Sequence, residues 1–263
     1  MCRMFKRSNV KCYKRIKSPS YSADQLRRIK LNCKKLLRTF SGKSVLVDDE
    51  SYFKLKSDTM PGNDRYFTKD NSTVSPDIKF RGIKKFPNSL LVWVCVSAHG
   101  ASEIFFLERP NSVTAKIYQE NCIKTRLNDF INKNYPDRSN IIFWPDLASS
   151  HYAKTTLALL ASLNIPFVKR ADNPPNLPQC RPIENFWSKL KSEVYKNGWE
   201  AESIRQLKQR IKFIFSKIDM STVRCDFESL LTNLALVAKR GPLTTIKKLN
   251  CFSLLNSVSF NKL

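Results

Sequence analysis

The stretch 140–168 constrains the fold of this chain more than any other. Asn140-Ile141-Ile142-Phe143-Trp144 is an apolar run of strand length that stops at Pro145-Asp146, residues 155–163 carry a helical pattern, and Ile165-Pro166-Phe167-Val168 is a second strand-like run. Strand, helix and strand in that order predict a β-α-β unit, and with it a parallel strand pair, a right-handed crossover and an α/β fold. Upstream, Val45-Leu46-Val47 and Tyr52-Phe53-Lys54-Leu55 read as two short strands. Residues 56–78, polar with Pro61, Gly62 and Pro76, read as a long loop. Residues 89–98 and 103–107 read as buried strands split by Ala98-His99-Gly100-Ala101-Ser102, which suggests a three-stranded meander.

Helical patterns surround these strands. Leu26, Ile29, Cys33, Leu36 and Leu37 recur at 3–4 spacing over 23–40, behind the Ser18-Pro19-Ser20 turn. Ile117, Cys122, Leu127, Phe130 and Ile131 mark a helix over 113–135 with Ser112 or Thr114 as its cap. The segment 172–182, with four prolines (Pro174, Pro175, Pro178, Pro182) and no apolar periodicity, is a loop. It leads into a helix with Pro182 in its first turn and Ile183, Phe186, Trp187, Leu190 and Val194 on one stripe. Two more helices are expected over 204–218 and 227–239, and there is no internal repeat.

Charge narrows the class of partner. Lys and Arg number 46 against 22 Asp and Glu, a net +24, while 42% hydrophobic residues are too many for an intrinsically disordered chain. Residues 1–44 hold fourteen bases (Arg3, Lys6, Arg7, Lys11, Lys14, Arg15, Lys17, Arg27, Arg28, Lys30, Lys34, Lys35, Arg38, Lys43) and one acid, Asp24, for a net +13. Such an arm calls for a polyanion, and nucleic acid is favoured over a membrane because the bases are not gathered on one amphipathic helix. Lys14, Arg15, Lys17, Arg27, Arg28, Lys34 and Lys35 are the DNA-binding candidates. The longest apolar stretch, 90–96, is far short of the ~20 residues a bilayer requires, and the basic N-terminus leads into no apolar signal region. An intracellular protein is expected, with its eight scattered cysteines as free thiols and no zinc site.

Three acids stand where apolar elements begin or end: Asp49 beside Val45-Leu46-Val47, Asp146 after the Ile141 to Trp144 run, and Glu184 in the first turn of an apolar-faced helix. Each has an ordinary reading, as a turn former or as an acid favoured by the helix dipole. If they converge, they repel one another unless a cation neutralises them, and a hard divalent ion such as Mg²⁺ suits a few carboxylates and water. Asp48 and Glu50 compete with Asp49, although strand alternation points those two away from the face of Asp49.

The strings Val47-Asp48-Asp49-Glu50-Ser51-Tyr52-Phe53, Trp144-Pro145-Asp146-Leu147-Ala148-Ser149-Ser150-His151 and Asn173-Pro174-Pro175-Asn176-Leu177-Pro178-Gln179-Cys180-Arg181-Pro182-Ile183-Glu184-Asn185-Phe186-Trp187 resemble the three catalytic blocks of mariner-type transposases, members of the DDE superfamily. The resemblance spans roughly 45–220, with 37 residues between Asp146 and Glu184, and the Pro-Ile-Glu-Asn-x-Trp block is its most specific part. It implies a ribonuclease-H-like fold, a mixed five-stranded sheet with helices on both faces. It also implies Asp49, Asp146 and Glu184 as catalytic metal ligands for Mg²⁺ or Mn²⁺, two ions, in DNA cleavage and strand transfer by transesterification. The partners implied are transposon ends and target DNA, in the nucleus, with no membrane; a homodimer stays open.

The chain departs from the family at Leu147, where Asn is frequent, and at Val94, where Gly is. The 44 residues before the first block are too short for the family's paired helix-turn-helix modules, since a domain needs ~50 residues. The expected organisation is a basic arm and linker helix over 1–43, a DDE catalytic domain over 44–220 and a helical extension over 221–263. His151 is a candidate for orienting water or phosphate beside the metals, against a structural reading as a helix-start residue; His99, Trp187 and Trp199 are expected to be structural. Two competing functions remain: a non-catalytic nucleic-acid-binding protein derived from a transposon, and a generic ribonuclease-H-like nuclease acting on RNA–DNA hybrids.

Overall fold

The structure is a computed structural model, and it describes residues 20–55, 68–80, 89–108 and 112–242. Lys14, Arg15, Lys17 and most of the 56–78 segment lie outside the described residues. Helix α1 (Ala23–Phe40) opens on a capping box, with Ser22 Oγ accepting from Gln25 N and the Gln25 side chain accepting from Ser22 N.

The sheet differs from the sequence reading in one informative way. Val45-Leu46-Val47 and Tyr52-Phe53 do not form two strands; β1 (Ser44–Lys54) runs straight through Asp48-Asp49-Glu50. Acids are poor strand formers, but β1 is paired antiparallel to β2 (Ser89–Ser97) across them, with Asp48↔Cys95, Asp49↔Val94 and Glu50↔Trp93 in register. On the far edge of β2 lie β3 (Gly100–Ala101) and β4 (Phe105–Glu108), interrupted where Ser102 Oγ accepts from Cys95 N. On the other side β1 pairs parallel with β5 (Ile141–Trp144), and this ladder ends at Val47↔Trp144. The strand read at 165–168 is reduced to one parallel bridge, Phe143↔Phe167, because Pro166 has no N–H to offer a longer ladder. The crossover between them is α2 (Lys154–Ser162), so the β-α-β unit stands.

Both faces of this mixed sheet are covered, as in a ribonuclease-H-like fold. One face, through Val45, Val47, Phe53 and Trp144, packs on α3 (Pro182–Val194), α4 (Ile204–Phe215), α5 (Met220–Glu228) and α6 (Leu230–Arg240) together with α1. The single helix expected over 227–239 is two, α5 and α6, which break at Ser229. α1 and α6 pack on each other and put Ile29, Cys33, Leu36, Leu234 and Val237 into the same core as β1.

The other face, through Leu46, Trp93, Cys95 and Phe143, meets α2 and a helical segment over 115–134. Thr114 caps that segment, and its middle, Tyr118–Leu127, is π-helical. The five-residue spacing of Ile117, Cys122 and Leu127 fits this wider turn better than an α-helix. No disulfide joins the described cysteines, and among the described residues no helix is long and apolar enough to cross a membrane.

Candidate functional site

Alternation along β1 sends its acids to different neighbours. Asp48 shares the parity of Leu46 and is fully buried; its Oδ2 accepts from Trp93 Nε1 at 3.0 Å and from Tyr118 Oη at 2.6 Å. Burial pushes its carboxyl up to about 6, against the opposing charge of His151. Asp49 shares the parity of Val47 and Phe53 and meets α3 instead, where Trp187 Nε1 donates to its Oδ2 at 3.1 Å. Trp187 is therefore a core residue, as expected, and also a donor to the site, a role its place on an apolar stripe conceals.

Asp49, Asp146 and Glu184 line a single cleft of about 380 Å³, with Leu147, Arg181 and the proline-rich loop over 174–178. Asp146 follows the end of β5, and Ala148 N donates to its Oδ1 at 2.9 Å. Glu184 stands in the first turn of α3, its N–H bonded to Arg181 O at 3.1 Å, and is exposed toward the cleft. Burial pushes the Asp49 carboxyl up to about 7, helped by the charges of Glu184 and Glu50 and opposed by Arg181. Asp146 is held below the usual carboxylate range: burial works against this, but the bond and charge of His151, the Ala148 N–H and Arg181 outweigh it.

Glu50 departs from the alternation argument. Its backbone belongs with Asp48, yet oxygens of Asp49, Glu50 and Asp146 come within 4.8 Å of one another, a set that does not include Glu184. The reason is that β5 stops at Trp144, so the edge of β1 beyond Val47 is open there and side chains from both of its faces reach Asp146. Three carboxylates this close, with Asp49 pushed upward by burial and by the charges of Glu184 and Glu50, are a donor set suited to a hard divalent cation.

His151 joins these groups from behind. It is buried, stacked on Tyr118 at 4.1 Å, with Nδ1 at 2.5 Å from Asp146 Oδ1 and Nε2 at 3.4 Å from Glu50 Oε1. Burial alone would lower its pKa, but Asp48, Asp146 and Glu50 together push it up to about 10. It touches acids of the cleft without being among the residues that line it. His99 bonds Tyr135 Oη at 3.0 Å and is structural.

Three residues escaped the sequence reading. Arg181 lines the cleft and donates to backbone carbonyls of β1 and β5. Asn173, buried, accepts from Trp144 Nε1 at 2.8 Å and donates to Pro145 O at 2.8 Å. Lys191, two turns after Glu184, has its pKa lowered by burial while Asp49 and Glu184 act to raise it. The first two sat inside a quoted block, but their partners lie tens of residues away and left no local signal. Of the basic candidates on α1, Arg27, Arg28 and Lys34 are exposed, whereas Lys35 is paired with Asp172 at 2.6 Å.

No family model matches the chain, and no curated protein matches it. Solved structures do. A pre-cleavage Mos1 transpososome superposes with a TM-score of 0.75 at 16% identity over 92% of this chain and 70% of that one. A Mos1 mariner paired-end complex with Mn gives 0.76 at 16% identity over 92% and 70%. The catalytic domain of Mos1 mariner transposase gives 0.61 at 17% identity over 85% of this chain and 96% of that one. At these identities the likeness establishes the fold: this chain is built like the Mos1 catalytic domain.

Proposed function

We propose that the chain is the catalytic part of a mariner-type DDE transposase, which cuts DNA at transposon ends and joins it to target DNA by transesterification. The observation that carries this reading is the meeting of Asp49, Asp146 and Glu184 in one cleft, on a fold shared with the Mos1 catalytic domain. Asp49, Asp146 and Glu184, with Glu50 beside them, would hold Mg²⁺ or Mn²⁺, two ions in this proposal. When bound, the ions supply Lewis acidity for in-line displacement at a phosphodiester and charge for the leaving oxygen.

The side chains of the chain prepare that site. Trp187 orients Asp49, and a proton must leave the Asp49 carboxyl, which sits at about 7, before it can hold a cation. Ala148 N and His151 Nδ1 both address Asp146 Oδ1, leaving Oδ2 outside these bonds. Arg27, Arg28 and Lys34 on α1, with the basic residues before them, offer charge for DNA phosphates. Two of the similar Mos1 structures are paired-end complexes, one of them with the left transposon end, which supports a DNA substrate and a homodimer for this chain as part of the proposal; action in the nucleus belongs to the same proposal.

Mn²⁺-dependent relaxation of supercoiled plasmid tests the reading, with Asp146→Asn as control. Nicking by the wild-type chain that Asp146→Asn abolishes is expected. Equal nicking by the variant would remove Asp146 from the reaction and overturn the site assignment, whereas Mn²⁺ and DNA binding with no nicking by either protein would favour the non-catalytic alternative.

A further inference from the structure

We propose that Arg181 is a positioning residue whose guanidinium replaces the ladder bonds that β1 and β5 lack beyond Val47↔Trp144, and so fixes Asp49 and Asp146 relative to each other; this rests on the metal-site reading above. The need arises from the backbone. The parallel ladder stops at Val47↔Trp144, and Pro145 has no N–H with which to continue it. The carbonyls of Asp48, Trp144 and Pro145 then face a gap between two strands that diverge at the residues carrying the acids, and buried carbonyls require donors.

Arg181 supplies them. Its Nη2 donates to Asp48 O at 2.9 Å and to Trp144 O at 3.3 Å, and its Nη1 to Pro145 O at 3.4 Å. Asp48 directly precedes Asp49 in the chain, and Pro145 directly precedes Asp146. The guanidinium is itself held over the Trp144 ring at 4.9 Å, and that ring is fixed by Asn173 Oδ1 at 2.8 Å and by Phe40 at 5.3 Å. Arg181 is also the residue before α3, whose first turn carries Glu184. One side chain thus ties together the three elements that bear Asp49, Asp146 and Glu184.

Among the described residues Arg181 forms no ion pair with a carboxylate within 4.0 Å; its recorded bonds go to backbone oxygens. That pattern needs a planar fork of several donors rather than a point charge, so Lys is a poor substitute.

The test is Mn²⁺ binding by the full chain, followed through the loss of the free-ion electron paramagnetic resonance signal, for wild type, R181K and R181A. Each protein is measured below its own melting transition. R181K is expected to bind Mn²⁺ at least tenfold more weakly, with kcat for plasmid nicking reduced and KM for DNA unchanged, because the charge is kept and the fork is lost. R181A is expected to regain Mn²⁺ binding when ethylguanidinium is added. R181K binding Mn²⁺ as tightly as wild type would overturn the proposal, as would a folded R181A that ethylguanidinium does not restore. A wild-type chain that binds no Mn²⁺ would instead sink the metal-site reading, and the positioning role with it.

Discussion

Asp48 and Asp49 are neighbours with one chemistry and two fates. Asp48 is sealed between Trp93 and Tyr118, while Asp49, one step along the same strand, opens on a cleft shared with Asp146 and Glu184. Both carboxyls are pushed upward by burial, to about 6 and about 7, so a raised pKa does not distinguish them. What distinguishes them is company. Asp48 is fully buried, bonded by Trp93 and Tyr118 and facing the charge of His151, whereas Asp49 is bonded by one indole, faces the charges of Arg181, Glu184 and Glu50, and lines the cleft. The lesson is that a raised acid becomes available for chemistry where its face of the strand opens on a cleft rather than on a sealed core.

The sharpest way to break this comparison is to neutralise each residue in turn. Asp49→Asn should lower Mn²⁺-dependent nicking by more than about a hundredfold, since losing even an outer partner of a metal ligand costs 10–100-fold. Asp48→Asn, which keeps an oxygen for Trp93 and Tyr118, should leave nicking within about tenfold of wild type. Equal losses in the two variants would erase the distinction.

Stability should respond in the opposite order. Asp48→Ala strands two buried donors and opens a void, and should cost about 2–4 kcal/mol in urea unfolding. Asp49→Ala removes a carboxyl whose ionised form is disfavoured in the fold, and at pH 8 without metal it should cost little or raise the midpoint. A midpoint that falls further for Asp49→Ala than for Asp48→Ala would contradict the assignment.

A smaller effect concerns pH. Asp49 has a folded pKa raised above its unfolded value of 3.8, so its contribution is fully present below 3.8 and is lost as pH rises through about 7. The metal-free chain should therefore lose melting temperature between about pH 4 and 7, and Asp49→Asn should flatten that slope. An unchanged slope in the variant would place the titration elsewhere.

The smallest difference is expected on α1, where Lys35 is paired with Asp172 and Arg28 is exposed. If α1 touches DNA, Arg28→Ala should reduce the salt slope of binding by up to ~0.9, as one phosphate contact does, and Lys35→Ala by less. Equal changes would mean that the ion pair does not hold Lys35 back.

Much of this contrast was legible in the chain. The 3–4 spacing of Ile183, Phe186, Trp187 and Leu190 marks the stripe of α3, and strand alternation separates Asp49 from Asp48. The meeting of three acids from distant segments was not readable from spacing; it came from the likeness of the three blocks to a known family. Other features were hidden for physical reasons. Strand propensity splits β1 at its acids because the donors that support Asp48 belong to β2 and to the π-helix. Glu50 reaches Asp146 only because β5 ends early, and Arg181 bonds carbonyls whose proximity exists only in the fold.

The most direct measurement is the anomalous difference density of crystals grown with Mn²⁺. The account predicts density in the cleft, in contact with Asp49 and Asp146 and on the side of Glu184. Density between Asp48 and His151, or none at Asp49 under saturating Mn²⁺, would contradict it.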